Sequence, residues 1–332
     1  MFIRNLNVIL CLLCFCGMSA AEVIPISTIE ELQKIGNEVE YPLDGEYVLT
    51  QDIDAGVTAG WNDGAGFAPI GEYNYFSQST SFRGVLDGQD HVILGLVINR
   101  PEMDFVGLLS HVGNNGTVKN LGIRGGTITG RYRVGALCGS SDGGIYTDCF
   151  VNVSVSGASL VGGLIGSSGY GSISRCHATG EVNGTERFVG GLLGRNGEGT
   201  LNSVLLDCFS RVFVAGGYEY AGGLAGVNNS IIGNSFVAGG MTVETGAQSI
   251  GGFAGENNGL ITASYWDKDM SGQSQSAGGE GRTTIEMLSP HAENTYVGWN
   301  FTETWTEDME EALNKGIPAY RLRRPRPVIL RI

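Results

Sequence analysis

Apolar and small residues alternate with polar turns through the middle of this chain at a period of about 28. Six segments between residues 106 and 255 read, with small departures, as apolar, small, small, apolar, apolar, glycine. They are Val106–His111, Val134–Gly139, Val161–Gly166, Val189–Gly194, Ala221–Gly226 and Ile250–Gly255. Their starts lie 28, 27, 28, 32 and 29 residues apart. A unit repeated at this spacing buries its apolar side only against its neighbours, so the pattern predicts a solenoid and not a globule around one pocket.

Aligning the copies gives columns. The first position holds Val106, Val134, Val161, Val189, Ala221 and Ile250. The second is always glycine: Gly107, Gly135, Gly162, Gly190, Gly222 and Gly251. The fourth holds Leu109, Leu137, Leu164, Leu192, Leu224 and Phe253. In a plain strand, positions one and four face opposite sides. Glycine between them is expected to supply a bend or bulge that turns both inward. A helix is disfavoured, because each interior glycine costs about 0.8–1 kcal/mol relative to alanine. Turn residues follow most copies, as in Gly113–Gly116, Asn228–Ser230 and Asn257–Gly259, and a second β-rich run comes next, as in Ile173–Ala178 and Leu260–Trp266. These features predict an all-β fold: a right-handed parallel β-helix, or β-solenoid, of about 28-residue coils stacked about 4.8 Å apart.

The ends read differently. Ser27-Thr-Ile-Glu30 forms a capping-box pattern that opens a short helix through Ile29, Leu32 and Ile35. Gly66 to Ser81 reads as a surface loop, and Ser271 to Gly281 as a connector. Thr283-Thr-Ile-Glu286 opens another short helix, and Trp299 and Trp305 are expected to plug the final coil. The chain thus divides into a signal peptide at 1–21, a cap helix with irregular β-coils at 22–105, the repeats at 106–266, and a connector, irregular cap and arginine-rich tail at 267–332.

Within that leader, Arg4 precedes the apolar run Val8–Cys16, which is too short to cross a bilayer, and cleavage is expected near Ala20-Ala21. A secreted or cell-surface location follows, with no membrane span after signal removal. Three cysteines leave with the leader. Cys149, Cys176 and Cys208 occupy equivalent places in consecutive repeats, with Leu121 before them and Ser235 and Ser264 after, which reads as an internal column of small side chains; Cys138 lies in a different column. Residues 22–320 carry 34 acidic against 14 basic side chains, a balance that argues against nucleic acid as a partner.

The set Gly162-Gly-Leu-Ile-Gly166, Gly190-Gly-Leu-Leu-Gly194 and Cys176-His-Ala-Thr-Gly180 resembles the GLUG-motif repeat region of bacterial secreted and surface proteins, including some immunoglobulin A1 proteases. The lead-in Gly45–Asp54 with Phe82–Gly88, and the exit Tyr265–Asp267 through Thr283–Met287, extend the likeness over most of the mature chain. The resemblance implies an exported bacterial repeat protein and supplies no catalytic residues.

Catalytic signatures were sought directly. His91, His111, His177 and His291 form no His-Glu-x-x-His arrangement, so the protease of that family is not implied. There is no nucleophile elbow and no phosphate loop. The pairs Asp52/Asp54, Asp87/Asp90 and Asp267/Asp269 read as turn-formers, although Asp52 and Asp54 also suit calcium. No catalytic, cofactor or metal residue is assigned. The expected function is a non-enzymatic rod for adhesion, binding or envelope structure, with an extracellular glycan or surface protein as partner. Tyr73, Tyr75, Phe76, Tyr218 and Tyr220 are candidates for stacking on sugars. The alternative is a polysaccharide lyase or hydrolase with carboxylates gathered on one face.

Overall fold

A computed structural model describes residues 23–73, 80–198, 203–244, 246–288, 291–306 and 316–320. The signal-peptide expectation, Tyr75, Phe76 and the arginine-rich tail therefore lie outside the described residues. Within them the chain winds into a β-solenoid whose coils visit three parallel sheets in turn. One coil runs through Cys138–Thr147 on the first face, Phe150–Gly157 on the second and Ser159–Gly162 on the third. The next repeats it with Ile165–Ser174, His177–Gly184 and Arg187–Gly190, in parallel register.

The six first-position residues pair in one unbroken ladder from Val106↔Val134 to Ala221↔Ile250. Leu137, Leu164, Leu192, Leu224 and Phe253 form a second file, each amide bonded to the carbonyl of the next at 2.8–3.0 Å. All are buried. Leu109 joins this file, its amide bonded to Leu137 O at 3.0 Å, but its strand partner is Cys138, so from there on the first copy runs one residue short of the others. Buried Leu108 and Leu109 both still face the core, which is why the slip is tolerated.

The expected bend is present between positions one and four of every copy, and both positions turn inward, Ile250 partly buried and the others fully. None of the six glycines at position two has a positive φ. They are required by close approach. A Cβ on Gly190 would lie 2.0 Å from Leu193 O, on Gly222 2.1 Å from Ala225 O, and on Gly251 2.0 Å from Ala254 O. The chain doubles back so tightly between the third face and the next first face that the position-five carbonyl lies over the position-two Cα. The left-handed backbone falls on neighbours that are not glycine. At the corner between the first and second faces it is Asn120, Asp148, Arg175, Asp207, Asn234 and Ala263; on the third face, one residue before position one, it is Phe105, Arg133, Leu160, Phe188, Tyr220 and Ser249, which kink the chain there as a second corner.

Cys149, Cys176 and Cys208 are buried free thiols in one inner column. Cys176 N donates to Cys208 Sγ, Cys208 N to Ser235 Oγ, and Ser235 N to Ser264 Oγ, so sulfur and hydroxyl serve the same corner amide interchangeably. Burial pushes the Cys176 and Cys208 thiols up, out of the nucleophilic range.

The N-terminal helix spans Ile29–Lys34. Its cap is Thr28 with Glu31, one residue later than the sequence pattern suggests, and Ser27 also bonds the Glu31 carboxylate. The Gly66–Ser81 segment is not simply a surface loop: Phe67 and Ile70 are buried, and Ile70 pairs with Leu109. At the far end Trp266 and Phe253 fill the interior, and Ser276 and Ala277 bond the last coil at Phe253 and Ala254. Trp299 and Trp305 do not plug the rod. They lie outside the second face, over the stacked column Phe209, Phe236 and Tyr265, and Trp305 Nε1 donates to Asp207 at 3.2 Å. Thr283 and Glu286 make the expected capping box for Thr284–Met287.

Candidate functional site

The described side chains that combine charge, aromatic rings and partial burial converge where the third face turns into the first. The backbone brings them together by register. His111, Ser140, Ser167 and Arg195 are consecutive rungs of one first-face column. Phe105 and Arg133 precede the position-one valines Val106 and Val134 in left-handed conformation, with φ of 60° and 59°. Glycines at position six lie tight against these corners; a Cβ on Gly166 would meet Arg133 C at 2.6 Å.

Arg133 reaches out from its corner to Ser140, Nη1 donating to Oγ at 3.3 Å, and its guanidinium lies 5.0 Å from the Phe105 ring and 5.8 Å from that of Tyr73. Arg195 donates from Nε to Ser167 Oγ at 3.2 Å. Both arginines then meet the same oxygen, Oε1 of Glu198: Arg195 by a hydrogen bond from Nη2, Arg133 at 3.6 Å. Arg133 Nε is buried and has no hydrogen-bond partner among the described residues. Glu198 stands on the one long spacer of the repeat. The register offset is 28 at Ser168↔Asn196 and 32 from Gly171↔Ser203, so the four extra residues fall at 197–202.

Alongside, buried His111 joins Ser81 Oγ at 2.7 Å through Nδ1 and Asp142 Oδ2 at 3.3 Å through Nε2. The His111 bond, together with nearby Arg133 and Arg195, holds the Asp142 carboxyl below the usual carboxylate range. Serine, histidine and aspartate in hydrogen-bond sequence suggest a nucleophile, but Ser81 is only 1% exposed. Its hydroxyl cannot be presented to a substrate, and it lies on no strand–turn–helix elbow. The relay fixes the orientation of Asp142 and His111 beneath Tyr73.

The acidic pairs are accounted for locally. Asp52 accepts from Val92 N and meets His91; Asp54 accepts from Gly56 N. Asp87 accepts from Gln89 and Asn120 and pairs with Lys119. Asp267 caps Lys268–Ser271 and accepts from Thr284, while Asp269 accepts from Thr284 N. Among the described residues no three His, Cys, Asp or Glu side chains are placed to hold a metal. Tyr220 stacks on Phe188 at 5.1 Å, so one of its ring faces is already taken, and Tyr218 is 47% exposed.

Pattern reading passed over Arg133, Arg195 and Glu198. The signals were present: His111 where the other copies hold glycine, an arginine interrupting a serine column, and the 32-residue spacing.

The period, the three-sheet coil and the glycine-packed corner agree with an independent match. Residues 157–183 carry the GLUG motif. Over 189 residues, 56% of this chain, the sequence is 33% identical to halomucin of Haloquadratum walsbyi, and over 120 residues 35% identical to a candidate Gly-rich membrane protein of Evansella cellulosilytica. The matched stretches are 2% and 13% of those proteins' lengths. A candidate immunoglobulin A1 protease from Bacteroides ovatus shares the fold with a TM-score of 0.64 at 17% identity, over 90% of this chain and 91% of that one. No helix among the described residues is long and apolar enough to cross a membrane.

Proposed function

We propose that this protein is an exported, non-enzymatic binding rod of the cell surface or extracellular space, and that its ligand is an extended polymer, most directly a glycan. The observation that carries this reading is the corner where Arg133, Arg195 and Glu198 meet beside Tyr73 and Phe105. Charged and aromatic side chains are held there on a rigid column, in a body that is otherwise acidic. Solenoids suit extended partners because the same surface recurs coil after coil. The relatives' names, a halomucin and a Gly-rich membrane protein, support a surface setting.

The test is a glycan array probed with the purified chain, run beside an assay for reducing ends and unsaturated products on acidic polysaccharides. Saturable binding without turnover is expected. Turnover on any of them would replace this reading with the lyase or hydrolase alternative, and the absence of binding on the array would end the glycan assignment.

A further inference from the structure

We propose that Arg133 and Arg195 form a clamp for one carboxylate of a uronate-containing polysaccharide, and that Glu198 of the chain itself fills this clamp in the present structure. The inference rests on the glycan reading above and gives it a ligand class and a gate.

Three independent features point the same way. Two guanidinium groups that lie two rungs apart along the rod converge on a single carboxylate oxygen. Planar guanidinium forks match carboxylates in geometry as well as charge, so whatever displaces Glu198 must bring the same chemistry. The clamp is also incomplete with Glu198 in it: Arg133 Nε is a buried donor with no hydrogen-bond partner among the described residues, an arrangement that is expensive to leave unmade. A ligand carboxylate that engages this edge of the fork completes what Glu198 does not. Finally, both guanidinium groups are fixed from behind, Arg133 by Ser140 Oγ at 3.3 Å and Arg195 by Ser167 Oγ at 3.2 Å, so the clamp is preorganised.

Glu198 suits the part of a displaceable occupant. Its side chain is 34% exposed, against 17% for Arg133 and 23% for Arg195, and it follows Asn196 at the start of the longest spacer among the six repeats. Gly169 lies beneath; a Cβ there would come 3.3 Å from Glu198 Cγ and 2.7 Å from Asp142 Oδ1. Tyr73 and Phe105 stack at 4.3 Å beside the guanidinium and offer apolar surface to a sugar ring. Asp142, held by His111, borders the clamp and disfavours a second anion, which limits the site to a single carboxylate at a time.

The experiment is calorimetric titration of the full chain with oligogalacturonate, its fully methyl-esterified form, dextran sulfate and poly-glutamate. It is repeated for Glu198→Gln and Arg195→Gln, with thermal melting to confirm that each variant is folded. Removing a charged competitor or a charged donor changes affinity by about tenfold or more. Glu198→Gln is therefore expected to bind oligogalacturonate about tenfold more tightly and Arg195→Gln about tenfold more weakly, while the methyl ester binds poorly to all three. Equal binding of the ester, or affinities unmoved by both variants, overturns the clamp while leaving glycan binding intact. No binding of any saccharide by wild type or Glu198→Gln overturns both readings. Preference for dextran sulfate, which carries sulfate and no carboxylate, reassigns the ligand to sulfate and overturns the uronate choice; preference for poly-glutamate overturns the polysaccharide choice in favour of an acidic protein.

Discussion

The two left-handed corners of each coil solve one backbone problem with different residues. Between the first and second faces the chain uses Asn120, Asp148, Arg175, Asp207, Asn234 and Ala263, with φ between 42° and 55°. On the third face, one residue before position one, it uses Phe105, Arg133, Leu160, Phe188, Tyr220 and Ser249, with φ between 54° and 61°. Asparagine and aspartate enter this region readily because their short polar groups bond locally; bulky side chains do so at a cost of about 1–2 kcal/mol each. The first corner is thus chosen mainly for its backbone, and its side chains serve the coil: Arg175 makes a two-bond ion pair with Asp148 of the preceding coil, at 2.7 and 2.9 Å. The second is chosen for its side chains. Phe188 stacks on Tyr220, and Arg133 crosses to Ser140 and Glu198. Identical φ with dissimilar residues separates what the fold requires from what the surface is for.

The most severe way to break the comparison is to add one carbon at each corner. Gly190→Ala places its Cβ against Leu193 O, where both partners are backbone and neither can move away. A loss of about 3 kcal/mol or more in urea unfolding is expected, by the overpacking mechanism. Gly233→Ala, beside the first corner, meets only the movable Leu206 side chain at 2.9 Å and should lose less than about 1 kcal/mol. Equal losses would show that the second corner is not specially tight.

A smaller effect concerns pH. His177 is stacked between Phe150 and Phe209, and burial, with Arg211 adding, pushes its imidazole down to about 3 from 6.5. The unfolded chain therefore takes up the proton first. This contribution to stability is complete above pH 6.5 and is lost progressively as pH falls toward 3. His177→Phe should keep the stack and flatten that limb of the stability–pH curve; an unchanged limb would place the acid sensitivity elsewhere.

Asp148→Asn keeps a residue suited to the left-handed corner but removes the charge opposite Arg175. A partly exposed pair of this kind is worth about 0.5–1 kcal/mol, and the difference from wild type should shrink in high salt. The mildest change is Ser249→Gly, at an exposed second-corner position with φ of 54°. It relieves strain and should raise the unfolding free energy measured in urea by up to about 1 kcal/mol. A loss there would mean that Ser249 holds the coil in a way its backbone does not reveal.

Much of this fold was legible because a period is a long-range signal. Six copies at nearly constant spacing specify coils, and the cysteine–serine column announces that its members share one inner file. What the pattern left open was how the glycines permit the bend. A one-letter code reports the absence of a side chain but not whether that absence serves a positive φ or a nearby carbonyl, and Gly190 answers to the carbonyl. The slip at Leu109 and the outward position of Trp299 and Trp305 were hidden for a related reason: hydrophobic residues read as interior, although the stacked column of Phe209, Phe236 and Tyr265 offers an apolar surface outside the rod. The clamp was hardest to see because Arg133 and Arg195 are 62 residues apart and meet only once the coils are in register, two rungs away from each other.

The division between the corners comes to a head in one paired measurement: Asn234→Gly and Arg133→Gly, each followed by urea unfolding and by oligogalacturonate titration. Glycine suits the left-handed backbone at both sites. At Arg133 the relieved strain, about 1–2 kcal/mol, is offset by the lost ring contacts, about 0.5–1 kcal/mol each, so both unfolding free energies should stay within about 1 kcal/mol of wild type. Binding should survive Asn234→Gly and vanish with Arg133→Gly. If Arg133→Gly instead unfolds the chain or binds as well as wild type, the second corner is a structural corner like the first, and the account fails.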